Sequence, residues 1–567
     1  MKMLISFNKS YQYYLLAVGM LMQFYVTLIN VDVYHEGDKF PSVVAMSQGK
    51  MIFKDVNNIY GFLVTVLNAP AVHFFGSKLL FMRVFGLIVK LILIGCFIKL
   101  LSRSIDKRWA VLIAAVWLIV SPAWINLQTI RFSNGFAWPT HYGLLFLILS
   151  LLFWPSNVSK NVKSNLRIFL SGLCLAVAWS ARLEFIVTWI FCTTFIILLW
   201  RRKDLLLSHL LLWVTGSLTY FLGSLLWLYK NGALVDWFNQ TILVWFSQPP
   251  AQPKMNLSWI SMNLFSFFSV AALGIICVSI FYFGGTTKLL PYLVSFLFVI
   301  FFCLFGVFLK PLHFGRFHIG AWFNEISIRG LLSFVNILFF IGTSISIYLI
   351  FRSILRVNSR QIPIYVTMMA ICNVSLLSFL HIMTADYLHL FIFTYICTSI
   401  WFSQNLPFRL PFNLLRMKSS VLAAALLISA VAAFSFIRGA TEPLYPYKNE
   451  VLVGLYDQNL KMRDSVDLRM NTVRKYSNHG IWAFCISGLP TVASGAYRGN
   501  DKWLWNLEPE SWMVDRWYEV KSGDYLYVCS LSLKEQAIEK TGLENGSLVE
   551  VESGEGFSIL YAKRDLI

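Results

Sequence analysis

The chain has 567 residues, 57% of them hydrophobic and 13% charged, with a mean hydropathy of +0.64 and a formal net charge of +19. So apolar a chain cannot fold as a water-soluble globule, which excludes soluble enzymes and binding modules and marks a polytopic membrane protein. Nor does the positive charge point to nucleic acid, because Lys and Arg sit in short clusters between apolar runs, where they report membrane topology.

The first apolar run covers residues 10–30, follows Lys2 and Lys9, and lacks an A-x-A-like cleavage site. It reads as an uncleaved signal-anchor. Further runs long enough to span a bilayer are expected over residues 79–101, 109–126, 136–154, 168–182, 184–200, 206–229, 258–283, 289–309, 329–351, 363–382, 386–403 and 418–437. The fold class is therefore an α-helical polytopic membrane protein with about thirteen transmembrane helices. With the N-terminus in the cytoplasm, the clusters Lys99/Arg103/Lys107/Arg108, Lys160/Lys163/Arg167, Arg201/Arg202/Lys203, Arg352/Arg356/Arg360 and Arg409/Arg416/Lys418 all fall on the cytoplasmic side, as the positive-inside rule requires.

On this map residues 31–78, 230–257 and 310–328 face outward. The first of these contains "FPSVVAMSQGKMIF" and "YGFLVTVLNAPAVHFFG", two stretches too short to cross and broken by Pro and Gly. They read as helices lying in the interface plane. An odd number of spans places residues 438–567 outside as a separate mixed α/β domain, apart from the membrane domain of residues 1–437. Its strands are expected near 481–487, 524–530, 547–552 and 557–562, where apolar and polar residues alternate. Nine cysteines are scattered without a C-x-x-C pair and read as buried small hydrophobes; Cys485 and Cys529, in the tail, can pair if that tail is extracytoplasmic.

Ionisable residues gather at the outer ends of these spans. "VDVYHEGDKF" sets Asp32, His35, Glu36 and Asp38 just after the first span, and Asp55 and Tyr60 follow in the same loop. "AWSARLEF" puts Arg182 and Glu184 between two spans, and "KPLHFGRFH" puts Lys310 and Arg316 in an outward loop. Arg131 lies between the third and fourth spans, and "ADYLHL" carries Asp386 and His389 three positions apart, on one helical face. Each has a plain alternative as a solvated loop residue or a helix-end ion pair. Together they suggest chemistry at one leaflet. A carboxylate takes a proton from a hydroxyl nucleophile, and fixed cations hold a phosphate leaving group. Glu36, Asp38 and Asp32 are the candidate bases. Arg182, Arg316, Lys310 and Arg131 are the candidate phosphate ligands, and His35, Asp55, Tyr60, Glu184, Asp386 and His389 the candidate substrate contacts. Lys90, deep in the second span, either snorkels or neutralises a phosphate.

The segment "DVYHEGDKFPSVVAMSQGKMIFKDVNNIYGFLVTVL" resembles the first extracytoplasmic loop of the GT-C superfamily, polytopic glycosyltransferases that use polyprenyl-phosphate sugars. Glu36–Gly37, Gly49, Phe53, Asp55 and Tyr60–Gly61 match its pattern, and Phe62 stands where a Pro is usual. Where mannosyl- and aminoarabinosyltransferases of the superfamily carry D-E, this chain has His35–Glu36. "ADYLHL" is similar to an R-x-D-x-x-H element, without its Arg. The resemblance implies an inverting transferase whose first-loop carboxylate is the general base, acting on a polyprenyl-phosphate-linked donor and an envelope glycan, lipid or protein acceptor. Metal dependence varies within the superfamily, so no metal is expected here, and no cofactor or nucleic acid partner is expected either. Alternatives are an envelope polysaccharide polymerase or ligase, and a lipid-linked sugar transporter or flippase. Polymerases and ligases usually carry their large soluble part between spans, and transporters often show paired halves with broken helices.

Overall fold

The computed structural model describes residues 11–31, 35–56, 58, 61–103, 105–124, 139–155, 162–182, 185–243, 349–350, 364–375, 441, 443–476, 481–484, 503–504, 521–528, 548–554 and 557–563. Expected spans between residues 258 and 437 lie outside these, apart from one helix.

The apolar runs of the first half form helices where their hydropathy places them. These are α1 (Tyr11–Leu28), α4 (Leu79–Leu101), α5 (Lys107–Trp124), α6 (Pro139–Phe153), α7 (Val162–Trp179), α8 (Phe185–Arg201) and α9 (Leu207–Lys230), with α10 (Leu234–Trp237) leading into a π-helical turn, Phe238–Leu243. Later in the chain, α11 (Ile364–Ser375) packs on α8. Among the described residues, α4, α7 and α9 are long and apolar enough to cross a membrane. On α9, Leu211, Leu218, Leu222 and Leu226 recur at helical spacing on the outside of the bundle, a stripe suited to lipid and not to water.

Polar groups join these helices from within. Ser150 and Ser171 each donate to the other's carbonyl across α6 and α7, at 2.8 and 2.7 Å. Helices α7 and α9 cross through Gly172 and Gly216, where an added Cβ would lie 2.2 Å from the Trp213 carbonyl oxygen and 2.1 Å from that of Phe169. Small residues at a crossing let backbones approach and maximise dispersion contact, the main attraction between helices in lipid. Gly216→Leu is therefore expected to lower stability in detergent by about 1–3 kcal/mol, read as a lower unfolding temperature. An unchanged transition would mean the helices tolerate a wider crossing.

An arginine at each end of α4 closes a neighbouring helix. Arg103 donates to the carbonyls of Leu151, Leu152 and Trp154 at the end of α6. Arg83 does the same for the end of α1. Both supply donors and positive charge to terminal carbonyls that lack intrahelical partners.

Between α1 and α4 lie α2 (His35–Ser47) and α3 (Leu63–Phe75), each with an internal proline, Pro41 and Pro70. At 13 residues each they are about 20 Å long, too short to span. α3 is amphipathic and exposes Phe74 and Phe75 at its end. α2 departs from the expected interface-plane helix. It begins at His35 rather than Phe40, and its described side chains from Glu36 to Ala45 are all buried.

The burial of α2 comes from the C-terminal segment. There, β1 (Tyr445–Pro446) pairs antiparallel with β2 (Tyr456–Asp457), and α12 (Leu460–Lys475) follows. A five-stranded sheet runs in the order β4 (Trp503–Leu504), β3 (Ile481–Phe484), β5 (Tyr525–Val528), β7 (Phe557–Ala562), β6 (Leu548–Gly554). β3 is parallel to β4 and β5, whereas β7 is antiparallel to β5 and β6. Val466, Met470 and Val473 form one stripe of α12. The first two join Phe40, Val43 and Val44 of α2, Leu79 and Met82 of α4, and Tyr447, Leu452 and Leu455 in a shared core. Val473 meets Ile481, Tyr527, Phe557 and Ile559 of the sheet. The segment therefore sits at the end of the bundle that carries the first loop.

Candidate functional site

Chain direction brings the end of α1, the starts of α4, α6 and α8, and the ends of α7 and α9 to this same end of the bundle. Arg83 is its most connected side chain. Its Nε donates to Glu36 Oε1 at 2.5 Å and its Nη2 to Glu36 Oε2 at 2.6 Å. Nη2 also donates to the Asn30 carbonyl at 2.8 Å, and Nη1 to those of Thr27 and Ile29 at 3.0 and 2.9 Å. All five guanidinium N–H groups are thus used, and both residues are fully buried. The pair ties α1, α2 and α4 together. Lys90, two turns below Arg83 on α4, is also buried and within electrostatic reach of both members of the pair. It does not snorkel to the surface.

Three residues after Glu36, Lys39 is buried and faces Arg182 electrostatically. Burial, and secondly the Arg182 charge, hold its amine well below the usual lysine range. Arg182 is itself buried, with Nη1 3.3 Å from Thr140 Oγ1 at the start of α6. Two basic side chains from distant parts of the sequence thereby come within electrostatic reach of each other near the turn that opens α2.

The remainder of the first loop is fastened against this point. Gly61 packs on the turn before Arg182: a Cβ there would fall 1.9 Å from the Ser180 carbonyl oxygen, and Leu63 N–H donates to that same oxygen at 3.0 Å. Only glycine fits such an approach. Gln240, in the π-helical turn, bonds to two points of the first loop, donating to the Phe53 carbonyl at 2.6 Å and accepting from Asn58 N–H at 3.0 Å. Phe53 has a φ of 70°, and Asp55 closes the turn by accepting from Met51 N–H at 2.7 Å. On the other side, Ser42 meets Thr65 at 3.2 Å, and Asn68 donates to Tyr142 at 2.8 Å. α2, α3 and α6 are linked in that way.

Of the residues singled out from the sequence, Glu36 and Arg182 come to this site, with Asp55 fastening its loop. Both Glu36 oxygens accept from Arg83, so this carboxylate ties α2 to α4. Asp55 serves its own turn. His35 and Asp38 have their backbone in the first turn of α2, and their side chains lie outside the described residues. Asp32, Tyr60, Arg131, Glu184, Lys310, Arg316, Asp386 and His389 also lie outside them. Sequence reasoning missed Arg83, Lys39 and Gln240. One signal was available for Arg83: it stands seven residues before Lys90, so two charges share one face of a spanning helix.

Three solved structures resemble the chain in overall course. The oligosaccharyltransferase AglB from Archaeoglobus fulgidus, in complex with an inhibitory peptide and a dolichol-phosphate, is 12% identical with a TM-score of 0.45, over 98% of this chain and 74% of AglB. An oligosaccharyltransferase from Archaeoglobus fulgidus in complex with Zn and sulfate has 12% identity and a TM-score of 0.47, over 97% of this chain and 73% of its own. ArnT from Cupriavidus metallidurans bound to undecaprenyl phosphate is 10% identical with a TM-score of 0.41, over 98% of both chains. No protein-family model and no curated protein sequence matches the chain. With TM-scores below 0.5, these likenesses add no weight to the residue evidence.

Proposed function

We propose that the chain is an integral-membrane glycosyltransferase that moves a sugar from a polyprenyl-phosphate donor to an acceptor hydroxyl of the cell envelope, on the outer face of the cytoplasmic membrane. The observation that carries this reading is the burial of Lys39, near the start of α2, and of Arg182 within electrostatic reach of each other. A phosphate within reach of both side chains would accept a charge-assisted hydrogen bond from each. An entering phosphate also offsets the Arg182 charge and so favours the ammonium form of Lys39.

In the proposed reaction the acceptor oxygen attacks the anomeric carbon as the bond from that carbon to the phosphate oxygen breaks. The electron pair leaves on the polyprenyl phosphate, and the configuration inverts. The hydroxyl proton passes to a carboxylate. With Glu36 held by Arg83, this role goes to Asp38 or Asp32. Asp38 adjoins Lys39, so their Cα atoms are about 3.8 Å apart, and its backbone stands beside the proposed phosphate. Arg131, Lys310 and Arg316 are proposed as further donor contacts. His35, Tyr60, Glu184, Asp386 and His389 are proposed to shape the sugar and acceptor pocket, with Asp55 acting through the loop it closes.

Binding of undecaprenyl phosphate to the purified full-length protein tests this. Arg182→Ala and Lys39→Met are each expected to weaken binding by about 2–4 kcal/mol, the worth of a buried charge-assisted contact. Affinities unchanged in both variants would remove the pair from the donor site.

A further inference from the structure

Asn30 is buried where α1 ends, with a φ of 51°, a left-handed conformation that Asn tolerates better than most residues. All four of its polar groups are engaged. Its N–H donates to the Tyr456 carbonyl at 2.7 Å, and its own carbonyl accepts from Arg83 Nη2 at 2.8 Å. Its side-chain Nδ2 donates to Gln458 Oε1 at 3.0 Å, while Oδ1 accepts from Gln458 N–H at 3.1 Å. That backbone donor fixes which way the amide points. One residue therefore connects the C-terminal segment to the guanidinium that holds Glu36 and α2.

The surrounding packing runs in the same direction. Tyr447 reaches into the core shared with Phe40, Val43 and Val44 of α2, and donates its hydroxyl to the buried Asp457 at 2.7 Å. At Gly454, whose φ is 84°, a Cβ would lie 2.9 Å from the Leu80 side chain at the start of α4. The two bodies thus share a core and a polar junction.

We propose that Asn30 and Gln458 are positioning residues: through Arg83 and Glu36 they use the C-terminal segment to set the placement of α2, so that this segment completes the first-loop site and is more than a separate domain. The inference rests on the proposed role of Lys39, on α2, in holding the donor phosphate. Weakening the junction frees α2 and displaces Lys39 from Arg182, whereas the body of α9, packed against α7, is left alone.

The test uses full-length protein in nanodiscs, with hydrogen exchange read separately in α2 and α9 and with undecaprenyl phosphate as the binding probe. Asn30→Gly keeps the positive φ and deletes the amide; Gln458→Ala keeps the backbone bond from Asn30 to Tyr456. Both are expected to speed exchange in α2 about tenfold or more, leave α9 within about twofold, and weaken undecaprenyl phosphate binding about tenfold. Exchange in α2 that stays at the wild-type rate, or that rises equally in α9, would overturn the proposal. If Asn30→Gly does not yield folded protein, Gln458→Ala decides the question alone. Should the wild-type protein fail to bind undecaprenyl phosphate, the proposed function falls, while exchange in α2 still judges the coupling.

Discussion

Replacing Arg83 by Met is expected to be the most damaging single substitution in the first-loop region, lowering stability by about 3–5 kcal/mol. The change removes five hydrogen bonds at once. It also leaves the Glu36 carboxylate buried without the guanidinium that its two oxygens face, and exposes the end of α1 as unsatisfied carbonyls. Glu36→Leu alone strands the opposite charge and should cost a similar amount. The double variant Arg83→Met with Glu36→Leu removes both charges and should recover a large part of the loss, because two apolar side chains can fill the space that an ion pair occupied. Thermal unfolding of the four proteins in detergent measures this cycle. Additive losses, with no recovery in the double variant, would mean that Arg83 matters mainly to the α1 carbonyls and that the ion pair does not anchor α2.

The second large effect belongs to the other acidic residues. General-base removal typically costs 10²–10⁴-fold in rate, about 3–5 kcal/mol of transition-state stabilisation. Asp38→Asn and Asp32→Asn keep size and hydrogen-bonding shape, so the proteins should fold, insert and bind undecaprenyl phosphate as the wild type does. At least one of them should abolish transfer. Glu36→Gln should behave differently, losing activity together with stability, because its partner Arg83 is buried. This separation of turnover from folding distinguishes a base from an anchor. A full rate of transfer in both Asp variants, and in the two combined, would place the chemistry elsewhere.

Helix positions in the first half were legible because spanning helices must satisfy every backbone group internally and present apolar side chains outward. Hydropathy alone therefore places α1 and α4 to α9 within a few residues. The start of α7 is the largest departure. It begins at Val162, six residues before the expected 168, because the polar turn carrying Lys163 and Arg167 continues the helix beyond the apolar run. The first-loop helices were legible as short broken elements, but the burial of α2 was not. Residues 438–567 supply its cover, and the core joining Phe40 to Met470 spans more than four hundred positions that no local period records. Arg182 was legible as a charge beside a span. Its electrostatic reach to Lys39 was not, since that follows from α2 being packed under the C-terminal segment. Glu36 shows the limit of motif reasoning most plainly. Resemblance marks an acidic residue at that place, whereas the two bonds that its carboxylate accepts from Arg83 became visible only in the fold.

The most direct test of the proposed function is a mass-spectrometric comparison of polyprenyl-phosphate-linked sugars and envelope glycans in cells without the gene, with the wild-type gene, and with Asp38→Asn plus Asp32→Asn. Loss of one sugar from an envelope glycan, with accumulation of its polyprenyl-phosphate donor, is expected without the gene and in the double variant, and the wild-type gene should reverse both. Identical lipid-linked sugars and glycans in all three would contradict the assignment of this chain as a glycosyltransferase.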